Sequence, residues 1–161
     1  MNRLAHAVAT CGYVGLLRPG PGTWGSLAAL PLGWVVMQGG PILFTALTVL
    51  LVPLAAWATR EVTRGSDDHD PGEVVIDEVL GQWIALMPIA WGAAMAGAPV
   101  TALWPGWVAA FLLFRLFDIW KPGPVGAVDR RDDVWGVVLD DAVAGAMAAI
   151  GVVVLAGLAH L

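Results

Sequence analysis

All thirteen acidic residues of this 161-residue chain lie between Glu61 and Asp141, and the long stretches around them are strongly apolar. Carboxylates are costly near hydrocarbon, so a chain that confines them this tightly is expected to use them. Apart from Glu61 they fall in two bursts. The first runs from Asp67-Asp68-His69-Asp70-Pro71-Gly72-Glu73 to Asp77-Glu78, the second from Asp118 to Asp140-Asp141. Each burst ends in an adjacent carboxylate pair at the mouth of a long apolar segment. The pattern points to a metal-dependent active site at a membrane surface.

Hydrophobic residues make up 58% of the chain and charged residues 13%, against roughly 45–50% and 25% in soluble domains. The excess apolar surface must face something other than water. Nine tryptophans and one tyrosine suit a bilayer interface, where a side chain needs an apolar body and a polar tip. A net charge of −5 argues against a nucleic-acid partner. The length fits one domain, residues 1–161. Cys11 is the only cysteine, so no intrachain disulfide forms. Arg3 and the apolar run after it imitate a secretory signal, but His6, Thr10, Gly12 and Tyr13 interrupt the run and cleavage is not expected. This opening segment reads either as an amphipathic helix lying on a membrane or as irregular chain.

Five apolar stretches come next, at about residues 25–38, 42–59, 79–96, 104–117 and 142–159, with Arg115 near the end of the fourth as their one charge. At ~1.5 Å per residue most lie near the lower limit for crossing ~30 Å of hydrocarbon. The first is short and contains Pro31, so it reads as a half-helix or borrows residues from the preceding loop. Pro53 is expected to kink the second. The connections at Gln38 to Pro41 and Gly97 to Pro105 carry no charge. All eight lysines and arginines fall in the N-terminal segment, the other connections or the helix ends beside them. Five crossings would place every charge on one face, the cytoplasmic face by the positive-inside rule, with the C-terminus opposite. The expected fold is therefore all-α: a membrane-embedded bundle of about four to five apolar helices with charged cytoplasmic loops. A soluble bundle of very apolar helices is the competing expectation.

Asp77-Glu78 and Asp140-Asp141 read in two ways. Acids favour helix starts as caps and dipole partners. Yet one acid suffices for a cap, and neighbours on a helix diverge by about 100°, so the second can point into the bundle. Carboxylates converging from two helix mouths would need a cation, and all-oxygen ligation suits Mg²⁺. Arg115, Asp118 and Lys121 stand at i, i+3 steps. They read equally as a salt-bridge ladder ended by Pro122 or as a metal ligand flanked by two phosphate clamps. Asp70, before Pro71-Gly72, is a turn former or a ligand. Arg130-Arg131 suit anchoring beside anionic headgroups, and Asp67, Asp68, Asp132 and Asp133 read as solvated loop charge. Pro19 to Ser26 alternates proline and glycine and is expected to be a loop, either a connector or phosphate-facing, with Thr23 or Ser26 as N-cap of the next helix. His6 and His69 lack partners at zinc spacing. No GxSxG, Walker, dinucleotide or HExxH motif is present.

Together these stretches resemble the phosphatidylglycerophosphatase A family. The resemblance rests on Pro21-Gly22-Thr23-Trp24-Gly25-Ser26, on Asp70-Pro71-Gly72-Glu73-Val74-Val75-Ile76-Asp77-Glu78-Val79-Leu80-Gly81, and on Phe114-Arg115-Leu116-Phe117-Asp118-Ile119-Trp120-Lys121-Pro122-Gly123-Pro124. Asp129-Arg130 and Gly136-Val137-Val138-Leu139-Asp140-Asp141 complete it. The resemblance implies an all-helical enzyme of the bacterial cytoplasmic membrane that removes the terminal phosphate of phosphatidylglycerol phosphate with Mg²⁺. It implies Asp77, Glu78, Asp118, Asp140 and Asp141 as the acidic core, supported by Asp70. Arg115, Lys121 and Arg130 would be the basic complement, with Thr23 in the N-terminal motif. Asp77, Asp118, Asp140 and Asp141 are then the catalytic candidates. Asp140 or Asp141 is open as general base, and an aspartyl-phosphate route competes with direct hydrolysis. Gly123 between the two prolines, Val138 and the acidic Asp132-Asp133 depart from the family pattern without removing a charged position.

Three other readings compete. The first keeps the metal site but acts on another lipid or a soluble phosphomonoester. The second is an ion-binding transporter, which would place acids within a span, whereas none lies near the middle of an apolar stretch. The third, a non-catalytic scaffold, would tolerate neutralised acid pairs.

Overall fold

A computed structural model describes residues 2–65, 71–131 and 133–159. Proline and glycine punctuate the helices. Pro21, Pro41 and Pro124 each open a helix at a position where the missing N–H costs nothing. Gly20 and Gly40 precede the first two at φ 70° and 91°, a region that L side chains rarely occupy. The described elements are α1 (Arg3–Ala9), α2 (Pro21–Met37), α3 (Pro41–Thr63), α4 (Ile76–Ala96), α5 (Trp104–Trp120), α6 (Pro124–Asp129) and α7 (Val134–Ala159). Short 3-10 turns at Val14–Leu16 and Val100–Leu103 precede α2 and α5. The structure is all-helical among the described residues.

The long helices alternate in direction. The uncharged turns after α2 and α4 lie at one end of the bundle. The starts of α2, α4 and α7 and the ends of α3 and α5 gather at the charged end. Among the described residues four segments are long and apolar enough to cross a membrane: Pro41–Thr63, Ile76–Ala96, Val100–Trp120 and Val134–Ala159. The fifth expected stretch does borrow from the loop before it, since α2 begins at Pro21, yet its 17 residues reach only about 25 Å. The reading of Pro19 to Ser26 as a loop is corrected from Pro21 onward. Gly20, rather than Thr23 or Ser26, is the N-cap, and Ser26 Oγ donates to the Gly22 carbonyl at 2.8 Å.

The core centres on α4. Over half of its apolar window is buried (56%), against 11% for the α5 segment and 22% for α7. Leu80, Leu86 and Ile89 share one buried cluster with Phe44 from α3, Phe114 from α5 and Val138 from α7. The outward faces carry Val49, Leu50, Leu112, Ile150, Val153 and Val154, all exposed. An apolar girdle of that extent suits lipid, not water, and the soluble alternative loses its support. The opening segment is neither irregular nor free. Ala5 and Ala9 of α1 are fully buried, and the Val75 N–H donates to the Ala9 carbonyl at 2.8 Å. His6 Nε2 lies 3.2 Å from Glu73 Oε1, so α1 holds the chain that leads into α4.

Where α4 and α7 cross, both helices are bare. A Cβ on Gly145 would collide with the backbone of Gly81, and one on Gly81 would collide with the Asp141 carbonyl and the Phe114 ring. Small residues let helix backbones approach this closely. Gly81 lies one turn beyond Asp77 and Gly145 one turn beyond Asp141. The close approach therefore fixes how near the two acidic pairs come.

Candidate active site

Asp77 and Glu78 occupy the first turn of α4, as expected from the sequence. Asp140 and Asp141 do not open a helix. α7 begins at Val134, so the pair sits nearly two turns inside it. The start is set by Asp133, whose Oδ1 accepts the Gly136 N–H at 2.9 Å. Asp133 is thus a cap as well as loop charge, held with Arg131 at 2.9 Å. A capping role for Asp140 and Asp141 is excluded by their position.

Asp77, Glu78 and Asp141 each present a carboxylate oxygen, and the three oxygens lie within 4.8 Å of one another. Asp77 and Asp141 are buried, and Glu78 Oε2 is buried with no hydrogen-bond partner. Three carboxylates packed together in the protein interior repel one another unless a cation sits between them. The donor set is all oxygen and fits Mg²⁺. A buried carboxylate oxygen with no hydrogen-bond partner is what such an ion would satisfy.

Asp118, on the last turn of α5, lies within hydrogen-bonding reach of Asp141. Its Oδ2 is paired with Arg115 Nη1 at 2.5 Å, so one half of the expected ladder exists. Arg115 Nη1 also donates to Ser26 Oγ at 3.3 Å, and its Nε is buried without a partner. Gly22, in the first turn of α2, closes the group. A Cβ there would strike Glu78 Oε1 and come within 3.2 Å of Arg115 Nη1. Thr23 lies in the same turn and is half-buried.

The other half of the ladder is absent. Lys121 leaves the helix at φ 49° as the C-cap of α5, and its ammonium turns away from Asp118. It pairs with Asp129 and with Asp140 Oδ2 at 2.8 Å. Burial alone would depress its pKa, but the bonds to Asp129 and Asp140 outweigh that and hold it above the usual lysine range. Asp140 has its other oxygen, Oδ1, bonded to the Asp141 N–H at 2.8 Å. Asp140 thus faces the lysine while Asp141 faces the acidic group. Arg130 is exposed at the end of α6 and joins none of the described ion pairs. Asp70, a further expected ligand, lies outside the described residues.

Four residues escape a reading by charge. Ser26 accepts from Arg115, and Gly81 with Gly145 sets the helix spacing. Gln82 is fully buried with both amide atoms unpartnered, one turn beyond Glu78. Its signal is present in the sequence: it is the one polar side chain in the 79–96 stretch.

Comparison with known proteins places the chain in a family. The family profile described as phosphatidylglycerophosphatase A matches residues 7–156. A Haemophilus influenzae protein named phosphatidylglycerophosphatase A is 35% identical over 147 residues, covering 90% of this chain and 84% of its own. An Escherichia coli K12 protein of the same name is 36% identical over 152 residues, covering 92% and 81%. A Bacteroides thetaiotaomicron protein, provisionally named a phosphatidylinositol-3-phosphatase, is 35% identical over 132 residues, covering 78% and 76%. No solved structure matches. With nearly its whole length matched, the chain belongs to the phosphatidylglycerophosphatase A family.

Proposed function

We propose that the chain, acting as a single domain, is a Mg²⁺-dependent lipid phosphatase. It would hydrolyse phosphatidylglycerol phosphate to phosphatidylglycerol and inorganic phosphate at the cytoplasmic face of the bacterial inner membrane. The observation that carries this reading is the meeting of Asp77, Glu78 and Asp141 beside Arg115. The orphaned Glu78 Oε2 calls for a cation, and the orphaned Arg115 Nε calls for an acceptor such as a phosphate oxygen.

Asp77, Glu78 and Asp141 would hold the Mg²⁺, which when bound would supply charge neutralisation and Lewis-acid chemistry. The side chains do the rest. Arg115, fixed by Asp118 and Ser26, binds phosphate oxygens and orients them. A water oxygen bonds to phosphorus as the bond from phosphorus to the glycerol oxygen breaks. Of the two candidates for general base, Asp140 is held by Lys121 and Asp141 belongs to the group of three, so Asp118, which adjoins Asp141, would instead take the proton from water and return one to the departing oxygen. Asp140 holds Lys121 at the rim, where Lys121 and Thr23 complete the headgroup's surroundings. Arg130 stands further out as an electrostatic attractor for the anionic substrate.

The position of the acids within α7 suits an interface. The helix has 26 residues, about 39 Å, roughly 9 Å more than the hydrocarbon it would cross. That surplus corresponds to the six residues Val134 to Leu139, which leaves Asp140 and Asp141 at headgroup level. The basic residues gathered at the same end favour a cytoplasmic orientation.

Purified protein in detergent is expected to release phosphate from phosphatidylglycerol phosphate with Mg²⁺ and to stop when EDTA is added. Turnover that ignores EDTA would overturn the metal assignment. The provisionally named Bacteroides relative favours a second reading, another lipid phosphomonoester. Competition against phosphatidic acid and phosphatidylinositol 3-phosphate decides between the two.

A further inference from the structure

The two helices that carry Arg115 and Ser26 also frame an apolar cavity at their other ends. It has a volume of about 350 Å³ and is lined by Leu30, Pro31 and Trp34 on the α2 side and by Thr101, Trp104 and Trp107 on the α5 side. The volume lies within the ~300–1,000 Å³ range of ligand pockets. Trp107 is fixed there by its indole N–H, which donates to the Val100 carbonyl at 2.9 Å. Trp34 and Trp104 are 45% and 66% exposed, so the cavity opens sideways into the surroundings of the bundle.

Helical spacing ties this cavity to the phosphate site. On α2, Gly22, Ser26, Leu30 and Trp34 recur at four-residue steps, which places them on one stripe. On α5, Arg115, Phe111, Trp107 and Trp104 recur at steps of four, four and three, again one stripe. The helices run in opposite directions, so both stripes descend from the Arg115–Ser26 contact into the bundle. Leu30 lies eight residues below Gly22 and Trp107 eight below Arg115, while Trp34 and Trp104 lie twelve and eleven below the same two residues. Thr101 lies fourteen below Arg115, so at 1.5 Å per residue the cavity spans about 12–21 Å from the polar end. Half of a ~30 Å hydrocarbon core is about 15 Å, the depth that one leaflet's acyl chain reaches from its own headgroup.

We propose that this cavity between α2 and α5 is the acyl-chain subsite of the enzyme: the substrate's phosphate rests at Arg115 and one fatty acyl chain follows the two stripes down to the tryptophan-lined cavity. The inference rests on the lipid-phosphatase reading above. It makes Leu30 and Thr101 determinants of chain length, although neither touches the reacting atoms.

The test compares dipalmitoyl and dihexanoyl forms of phosphatidylglycerol phosphate in mixed micelles, using the wild type, Leu30→Trp and Thr101→Trp. Leu30 is half-buried, whereas Thr101 is exposed at the rim, so the second variant spares the core. In each variant the long-to-short ratio of kcat/KM is expected to fall about tenfold, the loss of roughly two buried methylenes. A dipalmitoyl analogue with a diazirine at the chain end should label Trp34, Trp104 or Trp107 on irradiation. An unchanged ratio in both folded variants would overturn the subsite. So would labelling confined to other helices, or a cavity cross-linked to a second copy of the chain. Failure of the wild type to hydrolyse either substrate would strike the reaction assignment itself, and the subsite with it.

Discussion

The two acidic pairs look alike in the sequence and do different things in the fold. Asp77-Glu78 opens its helix, where free N–H groups and the helix dipole favour negative charge. Asp140-Asp141 sits nearly two turns inside its own helix, with no such support from the helix terminus. The first pair places both members toward the acidic group; the second divides its labour, Asp141 inward and Asp140 to Lys121. A buried carboxylate without a capping role needs another reason to be there. The second pair is therefore the stronger evidence for a site.

The largest expected effect breaks both pairs where they meet. Asp77→Asn and Asp141→Asn should each lower phosphate release about 10³-fold, in line with removing a main electrostatic contributor, while circular dichroism shows the helices intact. Next comes the spacing between the pairs. Gly145→Val should push α7 off Gly81 and lower turnover about a hundredfold, whereas Gly157→Val, with open space around it, should leave turnover unchanged. An equal response from the two glycine variants would remove the close-approach argument.

A smaller effect separates the members of the second pair. Asp140→Asn should cost about tenfold in kcat/KM, and Lys121→Gln about the same. The double variant should be little worse than either, because the two side chains act as one unit. Full additivity would contradict a shared role. The smallest effect concerns the start of α7. Asp133→Ala removes the cap and should destabilise the protein by about 1 kcal/mol, lowering the midpoint of thermal unfolding with kcat unchanged.

These contrasts also mark how far the residues can be read without coordinates. The entry of Asp77 and Glu78 into a helix is legible, because the apolar stretch begins directly after them and Asp-Glu favours a first turn. The Arg115–Asp118 contact is legible from its i, i+3 spacing. The start of α7 is not, since Val134 to Leu139 are as apolar as the stretch beyond Asp141, and only Asp133 three residues before Gly136 signals the cap. Lys121 escapes because a left-handed cap breaks the helical stripe, and a residue in that conformation no longer points where 3.6-residue periodicity would send it. Pro21-Gly22-Thr23-Trp24-Gly25-Ser26 misleads because proline and glycine are turn formers in general. Pro21 nevertheless belongs at N1, and Gly22 and Gly25 are required by the close packing of Glu78 and Val75.

Manganese binding tests the central claim most directly. Mn²⁺ added to the detergent-solubilised protein can be tracked by the loss of its free-ion electron paramagnetic resonance signal, with Mg²⁺ as competitor and no substrate present. The wild type should bind Mn²⁺ and release it to Mg²⁺, and Asp77→Asn and Asp141→Asn should each weaken binding at least tenfold, although the two residues stand on different helices. Undiminished Mn²⁺ binding by both folded variants would show that α4 and α7 do not share an ion.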